Sequence, residues 1–314
     1  MTLLYYDPRF LDHDTGQHPE RADRLRQVAR HLERTKLETR CGRHTWEPVT
    51  DEELALVHDL DYARGVRELA RIGGGRIEMD TVVSPASYNV ARLAVGAVCD
   101  AVRRVVAGED RRALCLVRPP GHHALRSEAM GFCLFNSIAL GARLATDRLD
   151  LDRVLIVDWD VHHGNGTQDI FYEDPRVGFF SIHRWPFYPG TGEANETGAG
   201  EGQGTTLNVP VEFGTSRERY HELFARNLEE IARRVRPQLV LISAGFDSHR
   251  DDPIGSLGLE TEDFAELTQR VLEVAAEYSQ GRVVSVLEGG YNPGILAGCV
   301  ETHLRELLAR GTRV

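Results

Sequence analysis

Val154-Leu-Ile-Val-Asp-Trp-Asp-Val-His-His-Gly-Asn-Gly-Thr-Gln168 is the stretch on which the reading of this chain turns. Four aliphatic residues, Val154 to Val157, read as a buried strand. Asp158, Asp160 and His162 follow at intervals of two, and in extended chain such residues face one way. Two carboxylates and an imidazole gathered at a strand end need a cation, a proton network or both. Oxygen and nitrogen ligands without a thiolate suit zinc, iron or manganese. Gly164 and Gly166 then turn the chain, and Thr167 is placed to cap a short helix.

Working outward, the same strand type recurs. Leu3–Tyr6, Ala113–Val117, Val177–Ile182, Leu239–Ser243 and Val283–Leu287 read as strands, with Thr205–Val211 as an additional one. Between them lie helical periodicities at Glu20–Lys36, Asp59–Ala70, Pro85–Ala107, Asn136–Asp147, Ser216–Val235, Thr261–Ser279 and Ile295–Leu308. Thr50-Asp-Glu-Glu53 is a capping box opening a short helix. Short β-branched strands alternating with longer helices predict an α/β fold with a single open, mostly parallel sheet flanked by helices. No linker interrupts the pattern, so residues 1–314 are expected to form one domain. The Gly-rich piece Gly190–Gly204 reads as a long surface loop. His13, His18 and Glu20 read as turn or cap residues, or else as a wall of a substrate entrance.

Composition narrows the function classes. The chain has 314 residues, 41% of them hydrophobic, enough for a sizeable core. With 37 basic and 48 acidic residues its net charge is −11, which argues against direct nucleic-acid binding. Cys41, Cys99, Cys115, Cys133 and Cys299 are scattered and odd in number, as in a reducing compartment. Met1–Asp7 is too short and too soon charged for a signal peptide, and no apolar run approaches the length of a membrane span. A cytoplasmic protein is therefore expected, with no membrane contact.

Nearly every strand runs into unusual polar residues. Ala113–Val117 leads to Arg118-Pro-Pro-Gly-His-His123, Val177–Ile182 to His183, Leu239–Ser243 to Asp247, and Val283–Leu287 to Glu288-Gly-Gly-Tyr291. In open α/β sheets the ligand site lies beyond the carboxyl ends of the strands. A metal on Asp160, His162 and Asp247 would have three protein ligands and an open position for water. His122 and His123 could move protons to and from that site. Each needs an acceptor on its other nitrogen, for which Asp158 and Asn165 are available. A carboxylate on one ring and an amide on the other would set their pKa values apart. Tyr291, after two glycines, could donate its hydroxyl to a developing oxyanion. The set describes a metal-assisted amide hydrolase.

Arg118-Pro-Pro-Gly-His-His-Ala124, Gly131-Phe-Cys-Leu-Phe-Asn136, Asp158–Gln168, Ser243-Ala-Gly-Phe-Asp247 and Leu287-Glu-Gly-Gly-Tyr291 resemble the zinc-dependent histone deacetylase family over nearly the whole chain. Asn165, and the early His18-Pro-Glu20, point to its class II and bacterial amidohydrolase branch, which includes acetylpolyamine amidohydrolases. The resemblance implies the arginase–deacetylase fold and one catalytic zinc on Asp160, His162 and Asp247. It implies His122 and His123 as the base and acid pair, supported by Asp158 and Asn165, with Tyr291 polarising the carbonyl. Structural potassium is implied on Asp158, Asp160, His162, Ser181 and Ile182, with a second such ion near 171–177. Gly131, Phe132 and Tyr188 would line a narrow substrate tunnel, and Asp80 would hold the substrate backbone. Ile254 stands where polyamine-selective relatives place a gatekeeper Glu. Arginase relatives bind a second metal, for which Gly164 and Gly245 offer no ligand here.

The implied activity is zinc-dependent removal of acetyl or other acyl groups from amines through metal-activated water, with acyl-lysine of proteins or peptides as first choice. A small-molecule amidohydrolase acting on acetylpolyamines is the alternative, and a non-catalytic acyl-lysine binding module the third. The segments His13–Glu20, Gly73–Asp80 and Trp185–Gly192 would decide between the first two. Oligomeric state is not legible.

Overall fold

The computed structural model describes residues 2–309. Its strands are β1 (Thr2–Tyr5), β2 (Cys41–Gly42), β3 (Gly75–Arg76), β4 (Val82–Val83), β5 (Arg112–Cys115), β6 (Val154–Asp158), β7 (Val177–Arg184), β8 (Thr206–Val211), β9 (Leu239–Ala244) and β10 (Val283–Leu287). Its helices are α1 (Asp23–Thr35), α2 (Asp51–Leu54), α3 (Leu60–Arg71), α4 (Ser87–Ala107), α5 (Ser137–Arg148), α6 (Asn165–Phe171), α7 (Arg217–Val235), α8 (Asp263–Tyr278) and α9 (Pro293–Leu308). Eight strands form one sheet in the order β2-β1-β5-β10-β9-β6-β7-β8, and every pair in it is parallel. β3 and β4 form a separate antiparallel hairpin.

The central strands β6, β9 and β10 are buried along their whole length, as strands covered on both faces must be. The helices make two layers: α4 packs on α5, while α1, α9, α8 and α7 follow one another in contact. Local signals set several boundaries. Thr50 and Glu53 form the expected reciprocal capping box. Asn136 caps α5 through its side chain, and Ser216 caps α7. No helix among the described residues is long and apolar enough to cross a membrane.

Two features differ from expectation. β2 and the β3–β4 hairpin are two-residue pairings whose sequence carries no periodicity to read. β6 ends at Asp158, so Asp160 and His162 do not share a strand face with it. Instead the Asp160 N–H donates to Asp158 Oδ1 (3.1 Å), and the His162 N–H donates to Asp160 Oδ1 (2.9 Å). Each carboxylate thus turns the chain two residues on, as short acidic side chains do in loops.

Candidate active site

The carboxyl ends of β5, β6, β7, β9 and β10 meet at one place. His162 Nδ1 lies 3.0 Å from Asp160 Oδ1 and 3.2 Å from Asp247 Oδ2. Ligand atoms of all three residues fall within 4.8 Å of one another, and all three side chains are buried. Donors about 2.0–2.2 Å from one tetrahedral ion stand roughly 3.3 Å apart, so the spacing fits a shared cation. Asp247 Oδ2 has no hydrogen-bond partner although it is buried, because its approach to His162 lacks hydrogen-bond geometry. A buried carboxylate oxygen left in that state suits a metal.

The main chain builds this pocket around the carboxylates. The Val161 N–H holds Asp247 Oδ1 at 2.9 Å, and the Gly289 N–H holds Asp160 Oδ2 at 2.8 Å. A Cβ at Gly289 would stand 2.2 Å from Asp247 Oδ2 and 2.5 Å from Asp160 Oδ2, so the loop approaches closely only as glycine.

The two histidines lie side by side with ring centroids 4.0 Å apart. His122 Nδ1 donates to Asp158 Oδ2 at 2.9 Å, and His123 Nδ1 to Asn165 Oδ1 at 2.7 Å. Asn165 Nδ2 in turn donates to Met130 Sδ (3.1 Å), which orients the amide. Both expected partners are therefore in place. Burial lowers the His122 pKa, but the Asp158 and Asp160 carboxylates outweigh it and push the ring up to about 10. Burial also lowers His123, the charged rings of His122 and His162 lower it further, and it ends well below the usual histidine range. One ring is thus a held cation and the other a neutral base with Nε2 free.

Tyr291 is buried beside the metal cluster. Burial, then the nearby Asp247 carboxylate, raise its phenol pKa well above normal, so it remains a donor. Its N–H donates to Asp252 Oδ2 (2.6 Å), and the Arg24 guanidinium lies 4.9 Å from its ring centroid. Phe132 meets it edge-on at 5.6 Å. Phe132 itself has φ +70°, a strained value for an aromatic residue, and its N–H is held by Thr81 Oγ1 at 3.1 Å. Tyr188 stands edge-on to His123 at 5.3 Å and is 37% exposed, so it reaches from the histidines to the surface. Gly131 lies against the His123 ring, where a Cβ would come within 2.3 Å. Gly131, Phe132 and Tyr188 are therefore brought together as expected.

Asp80 lies on the β3–β4 hairpin, where its carbonyl accepts from His18 Nε2 (3.0 Å) and His18 meets Phe132 edge-on at 4.5 Å. Burial and the neighbouring Glu78 carboxylate raise the Asp80 pKa to about 6. His18 thus fits the wall of an entrance. His13 and Glu20 do not, since both are fully buried; they follow the turn-or-cap reading instead, His13 closing the 3-10 turn Pro8–Asp12 as its C-cap and Glu20 lying in a bend before α1. Glu20 receives Arg118 Nε (2.5 Å) and Nη2 (2.7 Å) and Arg24 Nη1 (3.1 Å), because two buried guanidiniums need an anion. Thr167 is not a cap. It lies inside α6, where its N–H donates to the His122 carbonyl (3.1 Å).

Ile254 sits on a turn made by Asp252, whose Oδ1 accepts the Ile254 N–H at 2.9 Å. Among the groups expected around potassium, Asp158 and Ser181 are partners across β6 and β7, and Ser181 Oγ also contacts His183 Nδ1 (2.9 Å).

Three contributors went unread in the sequence. Arg24 donates to the carbonyls of Glu288 (2.5 Å) and Gly290 (2.6 Å), fixing the loop that carries Tyr291. Glu288 accepts the Gly121 and His122 N–H groups at 2.7 and 3.2 Å, tying β10 to the histidine loop. Phe187 stacks on His162 at 5.2 Å with planes 17° apart. Arg24 looked like one more charge on an amphipathic helix. Glu288, inside the quoted Leu287–Tyr291 motif, and Phe187, adjoining Tyr188, were within reach of a motif-based reading.

Comparison with known proteins finds relatives over nearly the whole chain. The histone deacetylase domain matches residues 18–307. A histone deacetylase-like amidohydrolase of Pseudomonas aeruginosa is 37% identical over 291 residues, covering 92% of this chain and 77% of its own. The polyamine deacetylase HDAC10 of Homo sapiens is 41% identical over 323 residues, covering 98% of this chain, which spans 48% of that protein. The crystal structure of the HDA15 HD domain matches with a TM-score of 0.90 at 34% identity, covering 98% of this chain and 89% of that one.

Proposed function

The chain belongs to the histone deacetylase family, with its arginase–deacetylase fold, and from that premise we propose that it is a zinc-dependent hydrolase removing acetyl or other acyl groups from amines, acyl-lysine first among them. The observation that carries the reading is the Asp160–His162–Asp247 cluster beside two histidines whose Nδ1 atoms are held by a carboxylate and by an amide. In this proposal residues 1–314 act as one catalytic unit.

Asp160, His162 and Asp247 hold the ion, which when bound supplies Lewis acidity and a nucleophile at neutral pH. His123 takes a proton at Nε2 and returns it to the leaving amine, its Nδ1 fixed by Asn165. His122 keeps its Nδ1 proton, which it donates to Asp158, and adds positive charge where negative charge develops. Tyr291 donates its hydroxyl to the carbonyl oxygen as that oxygen gains charge. Gly131, Phe132 and Tyr188 confine the alkyl chain and exclude water, and Asp80 receives the main chain of the substrate. Potassium on Asp158, Asp160, His162, Ser181 and Ile182 belongs to the same proposal; stability in potassium against tetramethylammonium buffer tests it.

The similarity to a polyamine deacetylase supports a second reading, in which the substrate is an acylated polyamine. Turnover of an acetyl-lysine peptide and of N-acetylputrescine by the zinc-loaded protein separates the two. A peptide preference of about 10-fold, roughly 1.4 kcal/mol in transition-state binding, supports the first, and the reverse ratio the second. Tyr291→Phe is expected to lower kcat by about 10²–10³ with little change in KM. Turnover that survives metal removal would overturn both.

A further inference from the structure

Arg184, at the end of β7, has no part in the chemistry above. Its guanidinium carbon lies 4.2 Å from the ring centroid of Phe187 and 4.6 Å from that of Phe213. Phe187 stacks on the metal-cluster residue His162, whereas Phe213 is 66% exposed. The guanidinium therefore stands between the buried cluster and the surface. Nη1 donates to the Gly255 carbonyl at 2.8 Å and the Ser256 carbonyl at 3.4 Å, on the loop that follows Ile254. Nε and Nη2 donate to no group among the described residues, and no carboxylate among them pairs with Arg184.

Charge is thus distributed unevenly around the mouth of the site. Glu78 and Asp80 stand by the hairpin, near His18 and Tyr188. A guanidinium in no ion pair among the described residues, two of its nitrogens without an acceptor, stands by Phe187 and the Asp252–Ser256 loop, whose one carboxylate, Asp252, is taken up by main-chain N–H groups. An acylated polyamine offers that side only further ammonium groups, which the guanidinium repels and cannot hydrogen-bond. Acyl-lysine within a peptide, or as the free amino acid, carries a carbonyl or carboxylate acceptor beyond its alkyl chain. A cationic side chain with free N–H donors attracts such acceptors, and does so chiefly through its charge.

We propose that Arg184 is a specificity-determining residue that selects acyl-lysine bearing carbonyl or carboxylate acceptors over acylated polyamines. The proposal rests on the hydrolase reading and deepens it by naming the substrate class.

The test measures kcat/KM on three probes: an acetyl-lysine peptide flanked by Glu, the same peptide flanked by Lys, and N-acetylspermidine. The wild-type protein should prefer the Glu-flanked peptide to either cationic probe, and the preference should shrink as sodium chloride rises. Arg184→Gln should reduce that preference about five-fold, the size of one charge interaction across a partly solvated mouth. Arg184→Lys keeps the charge and should retain most of it. The ratio between probes is the readout, so a loss common to all three cancels. A ratio unchanged in Arg184→Gln, or equally lost in Arg184→Lys, overturns the proposal and leaves Arg184 as a brace for Phe187. Turnover of none of the probes by the wild type overturns the hydrolase reading, and this one with it.

Discussion

The charge on His122 depends on the carboxylates around it, Asp158 first among them. Asp158 sits 2.9 Å from its Nδ1, and together with Asp160 it overcomes burial to keep the ring protonated up to about pH 10. A histidine with a raised pKa is charged below that value and neutral above it. Asp158→Asn should therefore move the alkaline limb of the kcat/KM profile toward lower pH and reduce kcat by about 10–10²-fold, as read in a pH–rate series. An unmoved limb would remove His122 from the electrostatic role. Gly289 is equally local. Its Cβ would collide with both Asp247 and Asp160 oxygens, so Gly289→Ala should cut metal affinity by about 10–100-fold, measured as metal retained after dialysis against a chelator series. At this scale the sequence was informative. The two partners, though not which histidine each holds, could be read because an imidazole that moves protons at one nitrogen needs an acceptor on the other, and Asp158 and Asn165 lay within the same motif. Arg24 had no such signal, since its partners are the main-chain carbonyls of Glu288 and Gly290, which no residue type advertises.

At the scale of elements, α1 is bound to the catalytic loops through charge. Glu20, just before α1, lies between Arg118 from the β5 loop and Arg24, which reaches on to the Tyr291 loop. Burial alone would raise the Glu20 pKa, but the two guanidiniums hold the carboxyl well below the usual range. A depressed carboxylate pKa stabilises the fold above the unfolded value, near 4.5, and that stability is lost as pH falls through the folded value. Glu20→Gln leaves Arg118 without an anion and should cost about 3–5 kcal/mol in urea unfolding at pH 7, with the deficit narrowing under strong acid. A deficit constant with pH would point to packing rather than charge. The same scale shows what periodicity can and cannot reveal. β10 was legible to its last residue because four apolar residues and one serine sit between clear breaks, and α2 because the Thr50 and Glu53 side chains close its first turn. β2 and the β3–β4 hairpin are only two residues per strand, too short for any pattern, so Asp80 could be singled out only through the resemblance and the strands that carry it were not legible.

For the whole molecule, the parallel sheet places five strand ends over one spot, and that spot collects negative charge. Asp158, Asp160, Asp247 and Glu288 are all buried there. Burial and the Asp160 carboxylate raise the Asp247 pKa to about 7, and burial raises Glu288 to about 7. Convergence of this kind was readable from the alternation of strands and helices, because ligand sites in open sheets lie at the strand ends. The way Asp160 and His162 reach the cluster was not, since it depends on side-chain-to-backbone turns rather than on strand alternation. The energetic consequence is global. A divalent cation that binds only the folded cluster stabilises the protein by RT ln(1 + [L]/Kd), about 4 kcal/mol at a thousand-fold excess over Kd. Removing zinc with a chelator should therefore lower Tm, and adding it back should raise Tm in proportion to the logarithm of free zinc. Because the sheet ends share one cluster, the shift should appear in a single cooperative transition, followed by far-ultraviolet dichroism and tryptophan fluorescence together. Trp159 lies fully buried beside Asp158 and Asp160, so its emission reports the same event. A Tm insensitive to zinc in the wild type would mean that Asp160, His162 and Asp247 do not bind that ion in the folded state. Sensitivity that persists in Asp247→Asn would place the ion elsewhere.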